Sequence, residues 1–227
     1  MKTRFLTVLA VTLFFGSCSK SVDSSQNTNP AESYLTTTSG SIWTYHEINS
    51  TSGTVNSSDY MVTSTDRDST INNRKYHIFS YSYGGSQYLG LSGHDYYEFD
   101  SIPGSSSIGG AAVERLYLKD NLNTGDIWKQ NFTFSVSGFP VPLSVTNKIA
   151  EKDISRTVNG IDYQNVIHVN STISSTLIPA SSLKSAIDSY YAPKYGLIEN
   201  TTIVNLNYMG ISQDVNISTQ LKSAVLK

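Results

Sequence analysis

The sequence predicts a mainly β protein: a single antiparallel curved sheet or half-barrel built from two similar halves, with one short helix. Three observations point there. The chain of 227 residues carries 15 Tyr and 8 Phe, long tracts of Ser, Thr, Val and Ile, and only 15% charged residues, a composition that favours strands over long helices. Turn signals recur at short intervals, as in an antiparallel meander rather than alternating βαβ units. The chain also echoes itself. Gly40-Ser41-Ile42-Trp43 is matched by Gly125-Asp126-Ile127-Trp128, which together hold both tryptophans, and the segment from Thr70 to Tyr76 is matched by Thr157 to Tyr163. Trp43 and Trp128 lie 85 residues apart and Tyr76 and Tyr163 lie 87 apart, so nearly one register relates a half at about 40–120 to a half at about 125–224.

The N-terminus stands outside this pattern. Met1-Lys2-Thr3-Arg4 is basic, residues 5–15 are mostly apolar, and Gly16-Ser17 precede Cys18, the only cysteine. That is the layout of a signal peptide over residues 1–17. Eleven residues span ~16 Å as a helix, about half of a bilayer core, which is too short for a permanent membrane span. The small pair directly before Cys18 resembles a bacterial lipobox, with Phe15 in place of the commoner Leu. That resemblance implies a diacylglyceryl group on the Cys18 thiol, cleavage before it and acylation of the new N-terminus. Two or three acyl chains hold a membrane firmly, at ~0.8 kcal/mol per buried methylene. Residues 18–33 are rich in Ser, Asn and Gln and contain Pro30, so they read as a lipidated flexible tether. Surface lipoproteins of Bacteroidota often carry acidic residues just after the lipidated cysteine, whereas only Asp23 occurs early here. The expected location is the outer membrane of the bacterial envelope, on its periplasmic face rather than at the cell surface.

Residues 34–227 then form the single β-domain, long enough to bury ~70% of its unfolded surface without a cofactor. The first strand, 42–48, places Trp43 and Tyr45 on one face and Ile42, Thr44, His46 and Ile48 on the other. Strands follow at 59–65, 76–83, 87–91, 96–100 and 114–119, separated by Gly-, Ser- and Asn-rich connections, with a loop at 101–110. Asn72-Asn73 and Asn159-Gly160 tolerate the positive φ of two-residue hairpin turns. The second half supplies strands at 127–136, 143–149, 163–173, 197–208 and 211–224. Pro140 and Pro142 cannot donate to a ladder and mark a strand start or an edge. Residues 179–191 carry Leu183, Ala186, Ile187 and Tyr190 at helical spacing, with Ser181 or Ser182 as a cap, which predicts one short helix lying across the sheet, the alternative being a further strand because Ser, Thr and Tyr dominate nearby.

Next comes Tyr190-Tyr191-Ala192-Pro193-Lys194-Tyr195-Gly196-Leu197-Ile198. This resembles a Tyr-Tyr-Ala-Pro-Gly-x-Gly-Leu-[Ile/Val] signature near the C-terminus of Bacteroidota lipoproteins of unassigned function, which also carry Gly-x-x-Trp, a Val-Asn-Gly-x-x-Tyr turn and a Leu-Tyr-Leu strand, matched here by Leu116-Tyr117-Leu118. Lys194 stands where the signature has Gly. The architecture resembles lipoprotein-carrier and lipocalin-like half-barrels, a likeness that conveys no activity. From the residues themselves, Pro193 ends the preceding element, Gly196 supplies an unusual backbone angle, Tyr190 and Tyr191 bury their rings, and Lys194 stays in water.

Chemistry is sparse. A formal charge of −2 without a basic stripe argues against a nucleic-acid partner. His46, His77, His94 and His168 have no metal-ligand spacing. There is no Gly-x-Ser-x-Gly elbow, and the lipid consumes Cys18. Asp66-Arg67-Asp68 fits a solvated strand end better than a calcium loop. His94-Asp95 beside Tyr96-Tyr97 reads as a loop leading into a strand. The aromatic residues are the candidate site: Phe79, Tyr81 and Tyr83 on one strand face, with Tyr96 nearby, would line a cavity for an apolar ligand or stack on a glycan, or else fill the core. The expected function is a non-enzymatic, lipid-anchored binding module for an apolar or glycan ligand, held to the membrane by its anchor and needing no cofactor. The alternative is a structural or interaction lipoprotein with a filled core.

Overall fold

The computed structural model describes residues 32–102, 112–136 and 139–227. The leader, Cys18, the tether up to residue 31 and the greater part of the 101–110 loop lie outside the described residues. Twelve strands follow in chain order: β1 (Ile42–Asn49), β2 (Asn56–Ile71), β3 (Arg74–Tyr81), β4 (Ser86–Ser92), β5 (Asp95–Asp100), β6 (Val113–Lys119), β7 (Ile127–Val136), β8 (Phe139–Val158), β9 (Ile161–Ser174), β10 (Leu183–Ala192), β11 (Gly196–Tyr208) and β12 (Ile211–Val225). One antiparallel sheet contains them all, in the order β6-β5-β4-β3-β2-β1-β12-β11-β10-β9-β8-β7. Each half is therefore a six-stranded meander, and the two meanders join where β1 pairs with β12.

The sheet curls until its two edges, β6 and β7, face each other. No backbone ladder joins them among the described residues. Side chains bridge the gap instead: the Trp128 indole donates to the Leu116 carbonyl (2.9 Å), the Leu116 N–H donates to Gln130 Oε1 (2.8 Å), and Gln130 Nε2 donates to the Glu114 carbonyl (3.5 Å). The Gln130 amide thus takes the place of a peptide unit at this seam. The result is a nearly closed barrel with almost no helix, its described helical content being a single 3-10 turn at Thr51–Gly53.

The two halves repeat each other at the level of single hydrogen bonds. Gly40 N–H donates to Ser64 O and Ser64 N–H to Ser41 O, both at 2.9 Å; Gly125 N–H donates to Ile149 O (2.8 Å) and Ile149 N–H to Asp126 O (3.0 Å). The 85-residue shift that relates the tryptophans relates these bonds as well. Gly40 and Gly125 have φ of +81° and +95°, so a glycine opens each half because the turn before its Trp strand needs a left-handed residue. Both tryptophans point inward, Trp43 at 4% and Trp128 at 9% exposure. The hairpin turns match too, with φ of 49° and 63° at Asn72 and Asn73 and of 50° and 78° at Asn159 and Gly160. Past each turn, Tyr76 and Phe79 correspond to Tyr163 and Val166, and all four are buried. The shift grows to 87 because the bulged stretch of β8 between Ile149 and Arg156, where the register with β9 slips, is longer than the bulge of β2 between Ser64 and Asp68. Each hairpin tip also carries an arginine lying over a tyrosine ring and paired to a glutamate: Arg74 over Tyr97 with Glu114, and Arg156 over Tyr190 with Glu199.

The helix expected at 179–191 is a strand. After a turn in which Ser182 and Leu183 N–H donate to Pro179 O, β10 runs between β9 and β11. Leu183, Ile187, Ser189 and Tyr191 are buried while Lys184 and Ala186 are exposed, the period of two that a sheet imposes. Helical spacing arose because Ala186 and Tyr190, on the outer face, are themselves apolar. For the same reason Tyr190 is not packed inward with Tyr191. It stacks on His168 at 4.2 Å between centroids, beneath the Arg156 guanidinium. Pro140 and Pro142 lie at the start of β8, paired to β7 and before the first residue that pairs with β9, Ser144. Their missing N–H therefore breaks no ladder.

Ala192 and Gly196 close the β10–β11 hairpin. Lys194 in its turn has φ +67°, the conformation that the Gly of the similar signature adopts freely. Its ammonium pairs with Glu32 in solvent. Gly196 has φ +69°, and a Cβ there would stand 3.3 Å from the Tyr34 carbonyl. Gly196→Val is expected to lower thermal stability by about 2 kcal/mol or more. Lys194→Ala should change the melting temperature little and Lys194→Gly should raise it or leave it alone; thermal melts of the three variants check this.

Candidate ligand cavities inside the barrel

Alternation along each strand decides what faces the interior. In the first half it is aromatic. Trp43 and Tyr45 on β1, Tyr60 and Val62 on β2 and Phe79 and Tyr81 on β3 surround a cavity of about 130 Å³. Trp43 meets Phe79 edge to face at 5.8 Å, and Tyr45 stacks on Tyr60 at 5.5 Å. The segment leading into β1 covers this cavity: Tyr34, Leu35 and Thr36 line it. That segment is fastened by Tyr34 OH donating to Asn165 O (2.7 Å), Tyr34 N–H donating to Tyr96 Oη (3.2 Å) and Thr36 Oγ1 donating to Lys194 O (2.7 Å). Ser33, which the sequence assigns to the tether, is held as well, accepting from Lys194 N–H.

In the second half the inward row turns polar at its middle. Asn147 on β8, Ser171 on β9, Ser189 on β10, Thr202 on β11 and Thr219 on β12 are all buried. The first four help to line a second cavity of about 200 Å³, which also touches Glu98, Arg115, Gln130 and Asn200. Glu98, Tyr117, Tyr191 and Leu197 border both cavities, so the two adjoin. Glu98 accepts from Arg115 Nη2 (2.5 Å) and from Gln87 Nε2 (3.0 Å).

Among the described residues, the buried side-chain nitrogens without a hydrogen-bond partner are Trp43 Nε1, Arg115 Nε and Asn147 Nδ2. All three are donors, and all three residues line these cavities. An orphaned buried donor costs about 1–3 kcal/mol, so their concentration around the interior marks it as a place for acceptors. Burial also pushes the phenols of Tyr45, Tyr81, Tyr117 and Tyr191 above their ordinary value, which keeps them neutral donors.

The four candidate residues separate. Phe79 and Tyr81 line the first cavity. Tyr83 lies past the end of β3, 69% exposed and stacked on Tyr81 at 4.9 Å. Tyr96 is 1% exposed and is held by Asp120, to which its hydroxyl donates (2.7 Å); it braces the covering segment and borders neither cavity. Sequence reasoning missed the polar row, although its signal is present. In Val145-x-Asn147-x-Ile149, Val169-x-Ser171-x-Ile173 and Ile187-x-Ser189-x-Tyr191, one polar residue interrupts an inward apolar alternation.

The histidines form two Ser-His-Asp chains that no sequence spacing announced. Ser64 Oγ lies 2.9 Å from His77 Nε2, whose Nδ1 is 2.8 Å from Asp68. Ser57 Oγ lies 3.1 Å from His46 Nε2, whose Nδ1 is 2.7 Å from Asp59. This is the bonding order of a hydrolase triad. Ser64 is 1% exposed, however, so a substrate carbonyl cannot reach it. Ser57 lies on the open outer face, where Lys222 binds the other oxygen of Asp59 (2.6 Å). Hydrogen bonds from Lys222 and His46 at Asp59, and from Lys75 and His77 at Asp68, hold both carboxyls below their usual range. Each chain ties neighbouring strands, Ser64-His77-Asp68 joining β2 to β3 and Ser57-His46-Asp59 joining β2 to β1. No group of three or more His, Cys, Asp or Glu among the described residues is placed to hold a metal ion.

The architecture is thus a single-sheet antiparallel barrel with a side-chain seam and a lined interior. No protein-family model matches the chain, and no curated protein matches it. Solved structures similar to it include a presumed lipoprotein from Parabacteroides distasonis (11% identity, covering 86% of this chain and 99% of that chain, TM-score 0.47). They also include a presumed exported protein with a YmcC-like fold from Bacteroides fragilis (12%, 86% and 99%, TM-score 0.48) and the hypothetical lipoprotein YmcC from Escherichia coli (8%, 82% and 86%, TM-score 0.36).

Proposed function

We propose that this chain is a lipid-anchored, non-enzymatic binding protein of the bacterial envelope whose barrel interior holds a small amphiphilic ligand. The anchor rests on the basic leader, its short apolar run and Gly16-Ser17 before Cys18. The observation that carries the binding reading is the first cavity: an aromatic-walled space inside the barrel, with Trp43 contributing an unpartnered N–H. Aromatic walls with a few donors suit an apolar body with a polar end, and a space of about 130 Å³, below the ~300–1,000 Å³ of sites that enclose a drug-sized ligand, takes only part of one: the end of an acyl or isoprenoid chain, or a single sugar ring.

A ligand that binds only the folded state raises its stability, by ~2.7 kcal/mol at a hundred times Kd. Purified protein should therefore melt about 5–10 °C higher with one fraction of an envelope extract. Val62→Phe, which projects a ring into the first cavity, should abolish that shift. If no apolar or glycan fraction moves the melting temperature, the interior is core and the protein is a structural or interaction lipoprotein.

A further inference from the structure

Deepening that reading, on which it rests, we propose that the second cavity is a subsite for a neutral hydrogen-bond acceptor, a carbonyl oxygen of the ester or amide class, and that the seam between β6 and β7 is its way in. Asn147 is 4% exposed. Its Oδ1 accepts from Ser171 Oγ at 2.7 Å, and its Nδ2 has no partner. Arg115 gives Nη2 to Glu98 at 2.5 Å and leaves Nε without one. The two residues line the same cavity, so both open positions there are donors. A cation would meet these donors with its own and leave all of them unpaired. An anion would add a net charge beside a pair that Glu98 has already made neutral, in a site where desolvating charge is expensive. A neutral acceptor completes either donor at neither cost. Ile102, Val145, Ile173 and Ile187 on the walls leave apolar room for the attached chain.

The same cavity touches Leu116 and Gln130, two of the residues that close the seam. Elsewhere among the described residues neighbouring strands are joined by backbone ladders, interrupted only by bulges. At the seam a few side-chain bonds take the place of a ladder, so parting β6 from β7 there breaks no backbone pairing and opens the cavity that Asn147 and Arg115 line.

Four probes of similar size test this by ligand-observed NMR on the intact protein: methyl hexanoate, hexanoate, hexylammonium and heptane. Methyl hexanoate should bind at least about tenfold more tightly than the other three, the worth of one added hydrogen bond to a buried donor. Asn147→Leu should reduce its binding about tenfold while heptane binding holds. Asn147→Asp, which keeps the acceptor for Ser171 but removes the donor, should do the same, and the probe ranking on the wild type stands without any variant. Gln130→Ala should accelerate association of methyl hexanoate. Equal binding of all four probes, or of none, would mean that water alone completes these donors and would overturn the proposal. Tightest binding of hexylammonium or hexanoate would overturn it too. A native ligand that lacks a carbonyl would overturn it while leaving the binding function intact.

Discussion

Truncating either tryptophan to Ala is expected to destabilise the barrel by about 3–5 kcal/mol, because each large ring is almost wholly buried at the start of its half and nothing can refill the space. For a domain of this size the melting temperature should fall by about 10 °C. The conservative variants should differ, and the difference tests the seam. Trp128 donates to Leu116 across the gap between β6 and β7, whereas Trp43 Nε1 has no partner. Trp128→Phe should therefore cost about 1 kcal/mol more than Trp43→Phe. Chemical denaturation of the four variants reads this directly. Equal effects of the two Phe variants would mean that the seam bond contributes nothing.

The second large effect is alkaline. Burial raises the phenols of Tyr45, Tyr81, Tyr117 and Tyr191 above their ordinary value, while in the unfolded chain they ionise near pH 10. Folded-state values above unfolded ones mean that this contribution is complete below about pH 10 and is lost as pH rises toward the folded-state values. A buried phenol held one pH unit above its unfolded value contributes about 1.4 kcal/mol, so several together rival a domain's net stability of about 5–15 kcal/mol. Unfolding in alkali should be cooperative, with tyrosinate absorbance rising in the same step in which circular dichroism is lost. Smooth titration near pH 10 with native dichroism retained would mean that these rings are open to water.

Much of the fold was legible because the information is local. Two-residue turns at Asn72-Asn73 and Asn159-Gly160, inward alternation at Trp43 and Tyr45, and the paired Gly-x-x-Trp openings each follow from backbone sterics or the pleat. The strand at 183–192 was not, because apolar residues on both of its faces imitate a helix, and only its neighbours β9 and β11 decide the outcome. The seam was not legible either: which strands become edges depends on the pairing of β1 with β12 across most of the chain. Among the candidate residues, strand periodicity put Phe79 and Tyr81 on the inner face, where they line the first cavity. It could not exclude Tyr83, which lies just past the strand end, or Tyr96, which a long-range bond to the covering segment draws aside. The polar row was readable as interrupted alternation, yet one polar residue among apolar ones gains meaning only once five neighbouring strands align theirs.

The central claim, an anchored barrel with an occupied interior, is tested most directly by native mass spectrometry of the protein purified from its own membrane. The predicted result is a chain beginning at Cys18 with covalent acyl mass, together with a non-covalent small molecule that leaves on collisional activation and is absent from Val62→Phe. An acylated chain of bare mass, identical for wild type and Val62→Phe, would contradict it.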